Sequence, residues 1–232
     1  YTINCADANF ENLQTYGNFT ILTSSPTCTI PPPNCEWNVT GNNIVTCENE
    51  NLFLQNQSLR ILDNATFKLI NSNLTLDNAS ADQTIFKTEN TLLVLNNTKV
   101  NSLNAYYFDI NISGSAIING IITNMSRIYF NGDRTHNITN SIFYFTVNFG
   151  NGYNINRIDS CTFRDYAYFA GNTTNYINNS LFSGTSTTFS ATSNNTIENS
   201  NSSTIVWFQD NSYPAVKNCF FNDSGFGFTS GQ

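Results

Sequence analysis

Asp159 and Glu198 are the acidic side chains of this 232-residue chain whose spacing could do chemistry. Hydrolysis of a glycosidic bond needs two carboxyl groups, one to donate a proton and one to activate water. Enzymes that invert the sugar hold them roughly 6.5–9.5 Å apart. Asp159 and Glu198 hold equivalent positions two periods apart in a sequence repeat, so stacked strands would separate them by roughly 10 Å. Asn178 falls between them and Lys217 follows Glu198. Asn178 begins an Asn-x-Ser glycosylation sequon, and a sugar there would obstruct a cleft. Asp165 beside Arg164 and Asp133 beside Arg134 are isolated pairs of the kind found in solvated turns. His136 is the single histidine, so no Ser–His–Asp set is available, and no phosphate-binding loop is present. Asp159 and Glu198 are weak catalytic candidates, and the simpler reading is a solvated face. A polysaccharide lyase or glycoside hydrolase is the enzymatic alternative.

The six cysteines fall into two groups. Cys161 and Cys219 share one repeat position three periods apart. That is about 14 Å of strand spacing, beyond the roughly 7 Å between Cα atoms that a disulfide can bridge. Both are expected to be buried free thiols acting as small core residues. Cys5, Cys28, Cys35 and Cys47 precede the clear repeat. They are expected to pair as Cys5–Cys28 and Cys35–Cys47 in an oxidising compartment. Zinc is disfavoured, because no Cys-x-x-Cys spacing occurs and one histidine stands alone. No metal or cofactor is expected.

Asparagine supplies much of the polarity, with 41 residues, while charged residues make up only 11%. Fifteen sequons result: Asn18, Asn38, Asn56, Asn64, Asn73, Asn78, Asn96, Asn111, Asn124, Asn137, Asn172, Asn178, Asn194, Asn201 and Asn222. Residue frequencies alone give about eight or nine. Asn178 belongs to an outward-facing column, and Asn137, Asn172 and Asn194 are expected in bends, where a glycan has room. Sugars would keep a surface this poor in charge soluble. The net charge is −7 and no basic patch exists, so nucleic acid is not expected as a partner. No run of residues is apolar enough to cross a membrane. Tyr1 as first residue suggests a processed leader, and the chain is expected outside the cell.

What positions these residues is a repeat of 19 to 20 residues. Its motif starts at Ile138, Ile158, Ile177, Ile197 and Val216, at steps of 20, 19, 20 and 19. A second column runs through Phe130, Phe149, Phe169, Phe189, Phe208 and Phe228, with the same period. Two columns with one period mark a solenoid. Segments such as Ser141–Phe145 and Thr204–Phe208 are rich in β-branched and aromatic residues, so each period reads as short strands. The frame of a leucine-rich repeat is absent, and regular apolar columns argue against a disordered asparagine-rich tract.

The columns have distinct chemistry. After the inward Ile comes an outward polar residue: Thr139, Asp159, Asn178, Glu198, Lys217. The third position, Gly120, Asn140, Ser160, Asn179, Asn199 and Asn218, suits the left-handed backbone of a tight bend. Such residues can also hydrogen-bond from turn to turn as an Asn ladder. The fourth position, Ser141, Cys161, Ser180, Ser200 and Cys219, is always small and should face a crowded interior. The sixth, with Phe143, Phe163, Phe182 and Phe221, is mostly large and apolar. Looser spacing extends the Ile column back through Ile118, Leu95 and Leu76. The Phe column extends through Phe108, Phe86 and Phe67. That makes roughly nine or ten turns.

Over residues 45 to 228 this period and column chemistry resembles the right-handed parallel β-helices, the pectate-lyase-like solenoids. The resemblance implies three sheets along a stacked core, and with it the right-handed coil. The composition, with many sequons and few charges, resembles surface glycoproteins of thermoacidophilic archaea. The expected fold is therefore an all-β, right-handed parallel β-helix over 48-232. A disulfide-stapled cap or arm over 1-47, with Pro31–Pro33 as a rigid stretch, should cover one end. The last motif is followed by little sequence, which suggests an open end that the next copy could fill, head to tail. The expected function is a structural extracellular glycoprotein of a cell-surface filament or coat, with copies of itself and covalent N-glycans as partners. The alternative is a polysaccharide-degrading enzyme or a glycan-binding adhesin or spike.

Overall fold

Each period bends the chain at a left-handed residue between sheet-forming strands. Asn49, Asn71, Asn97, Gly120, Asn140, Ser160, Asn179, Asn199 and Asn218 all have φ between +49° and +66°. Asparagine and glycine tolerate this region better than other residues, which is why they fill the column. Each bend still keeps its ladder: Asn140 donates its N–H to the Asp159 carbonyl at 3.1 Å, and Asn179 to the Glu198 carbonyl at 3.2 Å. The expectation of a left-handed bend at this position holds along the whole coil.

The computed structural model describes residues 5–6, 12–13, 28–31, 36–55, 57–77, 84–88, 90–103, 108–123, 126–150, 152–221 and 226–229. Among them the chain forms an all-β parallel solenoid whose coil is built from three sheets. Sheet one holds nine five-residue strands, from Ile44–Glu48 through Ile155–Asp159 and Thr174–Asn178 to Tyr213–Lys217. Sheet two, also of nine strands, follows the asparagine bend and runs from Asn51–Gln55 to Phe220–Phe221. Sheet three has ten strands, from Trp37–Val39 through Ser126–Phe130 and Ala167–Phe169 to Phe226–Thr229. A separate antiparallel pair joins Cys5–Ala6 to Asn12–Leu13. The coil makes about eight turns, slightly fewer than the period alone suggested, and eight steps of strand spacing give about 38 Å of length.

Three details differ from the columns read in the sequence. The coil begins before residue 48, because Trp37–Val39 pairs with Leu59–Ile61 and Ile44–Glu48 with Thr66–Ile70. The Ile column continues back through Ile118, Leu95 and Leu69 to Cys47, not through Leu76, which sits on sheet two opposite Leu54. The Phe column stops at Phe130, whose partner one turn earlier is Ile112, while Phe108 pairs with Ser126. Turns before residue 130 differ in length, so counting residues slipped between sheets. Phe67, for example, belongs to sheet one.

The cysteine pairing is corrected too. Cys28 is bonded to Cys47, with Cα atoms 4.9 Å apart, so neither Cys5–Cys28 nor Cys35–Cys47 forms. Cys47 heads the inward column of sheet one and is fully buried. Cys28 and Ile30 pack on that end of the core, and Gln57 Nε2 donates to the Pro31 carbonyl at 2.9 Å. The segment 28–31 therefore lies against the first turns, which brings Cys28 to Cys47. Cys35 lies outside the described residues. Cys161 and Cys219 are free thiols. Cys161 is buried, as expected, but Cys219 is only half-buried because it lies in the last described turn of its column.

The core is a stack of rings at strand spacing. Phe130, Phe149, Phe169, Phe189 and Phe208 follow one another with centroids 4.7, 4.8, 4.7 and 5.1 Å apart and planes within 13°. Phe143, Phe163 and Phe182 form a second stack at 5.3 and 5.2 Å. Such contacts contribute roughly 0.5–1.5 kcal/mol each beyond burial. They require every turn to keep the same register, which the parallel pairing of Ile138, Ile158, Ile177 and Ile197 shows.

Candidate functional site

The outer face of sheet one carries an open groove of about 630 Å³, floored by Asn137, Thr139, Arg157, Asp159, Tyr176, Asn178, Thr196 and Glu198. Alternation puts Ile158 and Ile177 inward and these polar neighbours outward. Asp159 pairs with Asn178, and Asn178 with Glu198, so the two carboxylates are two steps apart, about 9.6 Å between strands.

Asp159 is occupied by its neighbours. Its Oδ1 accepts from Asn178 Nδ2 at 2.8 Å and from Asn179 Nδ2 at 3.1 Å, and its Oδ2 accepts from Ser160 Oγ at 2.9 Å. Three donors use much of its accepting capacity. The space between the two carboxylates holds Asn178, whose Oδ1 accepts from Asn199 Nδ2 at 2.9 Å. Further along, Asn119 Nδ2 donates to Asn96 Oδ1 at 2.9 Å, and Asn140 Nδ2 to Asn119 Oδ1 at 2.9 Å. The outward column and the bend column thus form one amide ladder. It runs straight up the bends where Asn97 Nδ2 donates to Asn71 Oδ1 at 3.0 Å and Asn218 Nδ2 to Asn199 Oδ1 at 3.2 Å, as expected, and diagonally between the two columns in several other places. The pairs set aside as turn residues also bind across turns. Asp133 Oδ1 accepts from the Tyr153 N–H at 2.7 Å, and Asp165 Oδ1 accepts from Thr185 Oγ1 at 3.0 Å. Arg134 reaches Asn90 Oδ1 at 2.7 Å, and the Arg164 guanidinium sits 4.8 Å above the Tyr144 ring centre.

The small fourth column has a second role that its size alone does not reveal. The N–H one residue past each bend has left the strand ladder. Cys161 N–H donates to Ser180 Oγ at 3.2 Å, Ser180 N–H to Ser200 Oγ at 3.1 Å, and Ile121 N–H to Ser141 Oγ at 3.2 Å. Each hydroxyl then donates to a carbonyl two residues back, as Ser180 Oγ does to Asn178 at 2.8 Å. Serine is therefore both small enough and polar enough for the position. Cys161 lies against the Ile138 and Asp159 carbonyls, and burial pushes its thiol up to about 12.

A further polar seam lies inside the coil, in a column that the sequence reading did not single out. His136, Asn156, Asn175 and Asn195 occupy successive turns of one inward column of sheet one, all fully buried. Asn156 Nδ2 donates to Asn175 Oδ1, and Asn175 Nδ2 to Asn195 Oδ1, both at 2.7 Å. Asn195 Nδ2 ends the run on Ser193 Oγ at 2.9 Å. At the other end Asn156 Oδ1 and both His136 ring nitrogens lack a hydrogen-bond partner. The His136 ring lies 4.9 Å from Phe130, and burial pushes its pKa down to about 4, with the Asn154 side chain partly opposing. The missed signal was the 19- to 20-residue spacing of these residues, two positions before each Ile.

Among the described sequons, Asn64, Asn73, Asn137, Asn172, Asn194 and Asn201 are exposed, while Asn38, Asn96, Asn111 and Asn178 are half-buried. Asn137 lies within a strand and Asn194 begins one, so only Asn172 of the three expected in bends is outside a strand. Asn18, Asn56, Asn78, Asn124 and Asn222 lie outside the described residues. No described helix is long and apolar enough to cross a membrane. No family model matches the chain, and no curated protein or solved structure matches it either.

Proposed function

We propose that this chain is a structural element of an extracellular surface: a stiff, glycan-bearing solenoid that joins copies of itself end to end into a filament or coat. The observation that carries this reading is the ladder through Asp159. In the lateral pair of Asp159 and Glu198, Asp159 is bound by three donors and the space between is filled by Asn178, which ties turn to turn. The Cys28–Cys47 bond suits an oxidising compartment, and sequons on the exposed surface suit a glycoprotein. The low charge and dense sequons fit a surface exposed to acid, as in the archaeal glycoproteins that the composition resembles.

End-to-end growth has a physical basis in the fold. In the last strand of sheet one, Val216 is 41% exposed, whereas its column neighbour Ile197 is 1% exposed. A further turn of the same period would cover it, supplied by more of the polypeptide or by another copy. Electron micrographs of the purified protein, combined with glycan mass spectrometry, test the proposal. Rods that lengthen with concentration and carry sugars on Asn64, Asn172 or Asn194 are expected. Short particles of one size at every concentration would overturn the filament. Polysaccharide cleavage abolished by Asp159→Asn would overturn the structural reading itself.

A further inference from the structure

Sheet three presents a row of side chains that the amide ladder does not use. Its central outward column runs Tyr129, Asn148, Tyr168, Thr188, Trp207 and Gly227, each paired with the next. Aromatic rings thus occur at every second turn, at two steps of 39 residues. Small uncharged residues separate them. Two strand steps make the ring-to-ring interval about 9.6 Å.

Two of the rings, Tyr168 and Trp207, are held in place. Tyr168 is 38% exposed, and its Oη accepts a hydrogen bond at 2.8 Å from Ser190, a buried hydroxyl one turn on. Trp207 also leans over the following turn: a Cβ added at Gly227 would fall within its indole ring, so only glycine lets the ring lie against the backbone there. Both side chains therefore lean in the same direction along the axis, which preserves the interval. No sequon lies on this face between Tyr129 and Gly227, whereas sheet one carries Asn137, Asn178 and Asn194, and sheet two Asn201.

We infer that this face binds a neutral, extended β-1,4-linked pyranose chain lying along the solenoid axis across the strands. In such a chain each sugar is turned over relative to the last, so the same ring face recurs at every second residue. Two sugar residues rise by nearly the distance between successive rings here. The axial C–H groups of a pyranose stack on an aromatic face, which is negative at its centre. Asn148 and Thr188, between the rings, can reach the equatorial hydroxyls. The absence of charge in this column between Tyr129 and Gly227 fits a neutral chain rather than a polyuronate, which would need cations to meet its carboxylates. Four steps from Tyr129 to Trp207 cover about 19 Å, the rise of about four sugar residues, so a hexasaccharide is long enough to cover all three rings.

Calorimetry on the full chain with β-1,4-linked hexasaccharides of glucose and of N-acetylglucosamine tests this inference, and the better of the two identifies the group at C2. Binding should strengthen from disaccharide to hexasaccharide. Trp207→Ala and Tyr168→Ala should each weaken it about tenfold. Tyr168→Trp keeps a ring at the site and should retain binding, with circular dichroism confirming that each variant is folded. Failure of the wild-type chain to bind either hexasaccharide would overturn the inference. Equal binding by the Trp207→Ala/Tyr168→Ala double variant would do so too, as would equal affinity for a coiled α-1,4-glucan or for a polyuronate.

Discussion

His136→Asn should make the protein more resistant to acid. The wild-type imidazole is fully buried against Phe130, and its pKa falls from 6.5 to about 4. Burial is the main cause, since the charged form loses its hydration. In the unfolded chain the ring takes a proton near its ordinary value, so below pH 6.5 the unfolded state binds more protons than the folded one. Stability from this group is therefore complete above pH 6.5 and declines as pH falls through the folded value near 4. A gap of about 2.5 pH units, at about 1.36 kcal/mol each, amounts to roughly 3 kcal/mol. Asparagine cannot titrate, and it matches the rest of the column. Its Nδ2 could donate to Asn156 Oδ1, which has no partner, just as Asn156 donates to Asn175. Denaturant unfolding of both proteins at pH 7.5, 5.5 and 4 measures the effect. The carboxylates are common to both, so only the difference between the two curves matters. The variant should gain roughly 3 kcal/mol on the wild type between the highest and lowest pH. Parallel curves would refute the reasoning, because they would mean that His136 accepts a proton as easily folded as unfolded.

Ser180→Ala should cost about 1–3 kcal/mol, since it leaves the buried Cys161 N–H without its acceptor. Chemical denaturation checks this, and Ser180→Cys should cost less because thiols already occupy the column. Ala191→Gly should stabilise the protein by roughly 0.5–1 kcal/mol, because Ala191 is held at φ 57° in a second column of left-handed bends that includes Gly171. A fall in melting temperature would contradict it. Under non-reducing conditions peptide mapping should recover Cys28 linked to Cys47, and Cys161 should resist thiol reagents at pH 8 until the protein unfolds. Rapid labelling of Cys161 in the folded protein would show that the column opens.

The coil was legible in the chain because a stack of parallel strands repeats its surroundings every turn. A left-handed bend recruits asparagine or glycine, an inward position recruits Ile or Phe, and both recur at 19 to 20 residues. Where turn lengths vary, before Phe130, the same counting assigned Leu76 and Phe67 to the wrong sheets, because only backbone pairing carries register across an insertion. The carboxylate pair was legible as a spacing. That Asp159 is bound by Ser160, Asn178 and Asn179 was not, because those donors reach it from two turns.

The sequence by itself determined the period, the residue types of each column and the bends, since these follow from local backbone and side-chain preferences repeated many times. Only the tertiary structure decided which groups meet. It paired Cys28 with Cys47, because the segment 28–31 lies against the first turns. It buried His136 in line with three asparagines. It brought Tyr129, Tyr168 and Trp207 into one row. Each of these joins residues 19 or more positions apart, and only the stacking of turns brings such residues within reach of one another.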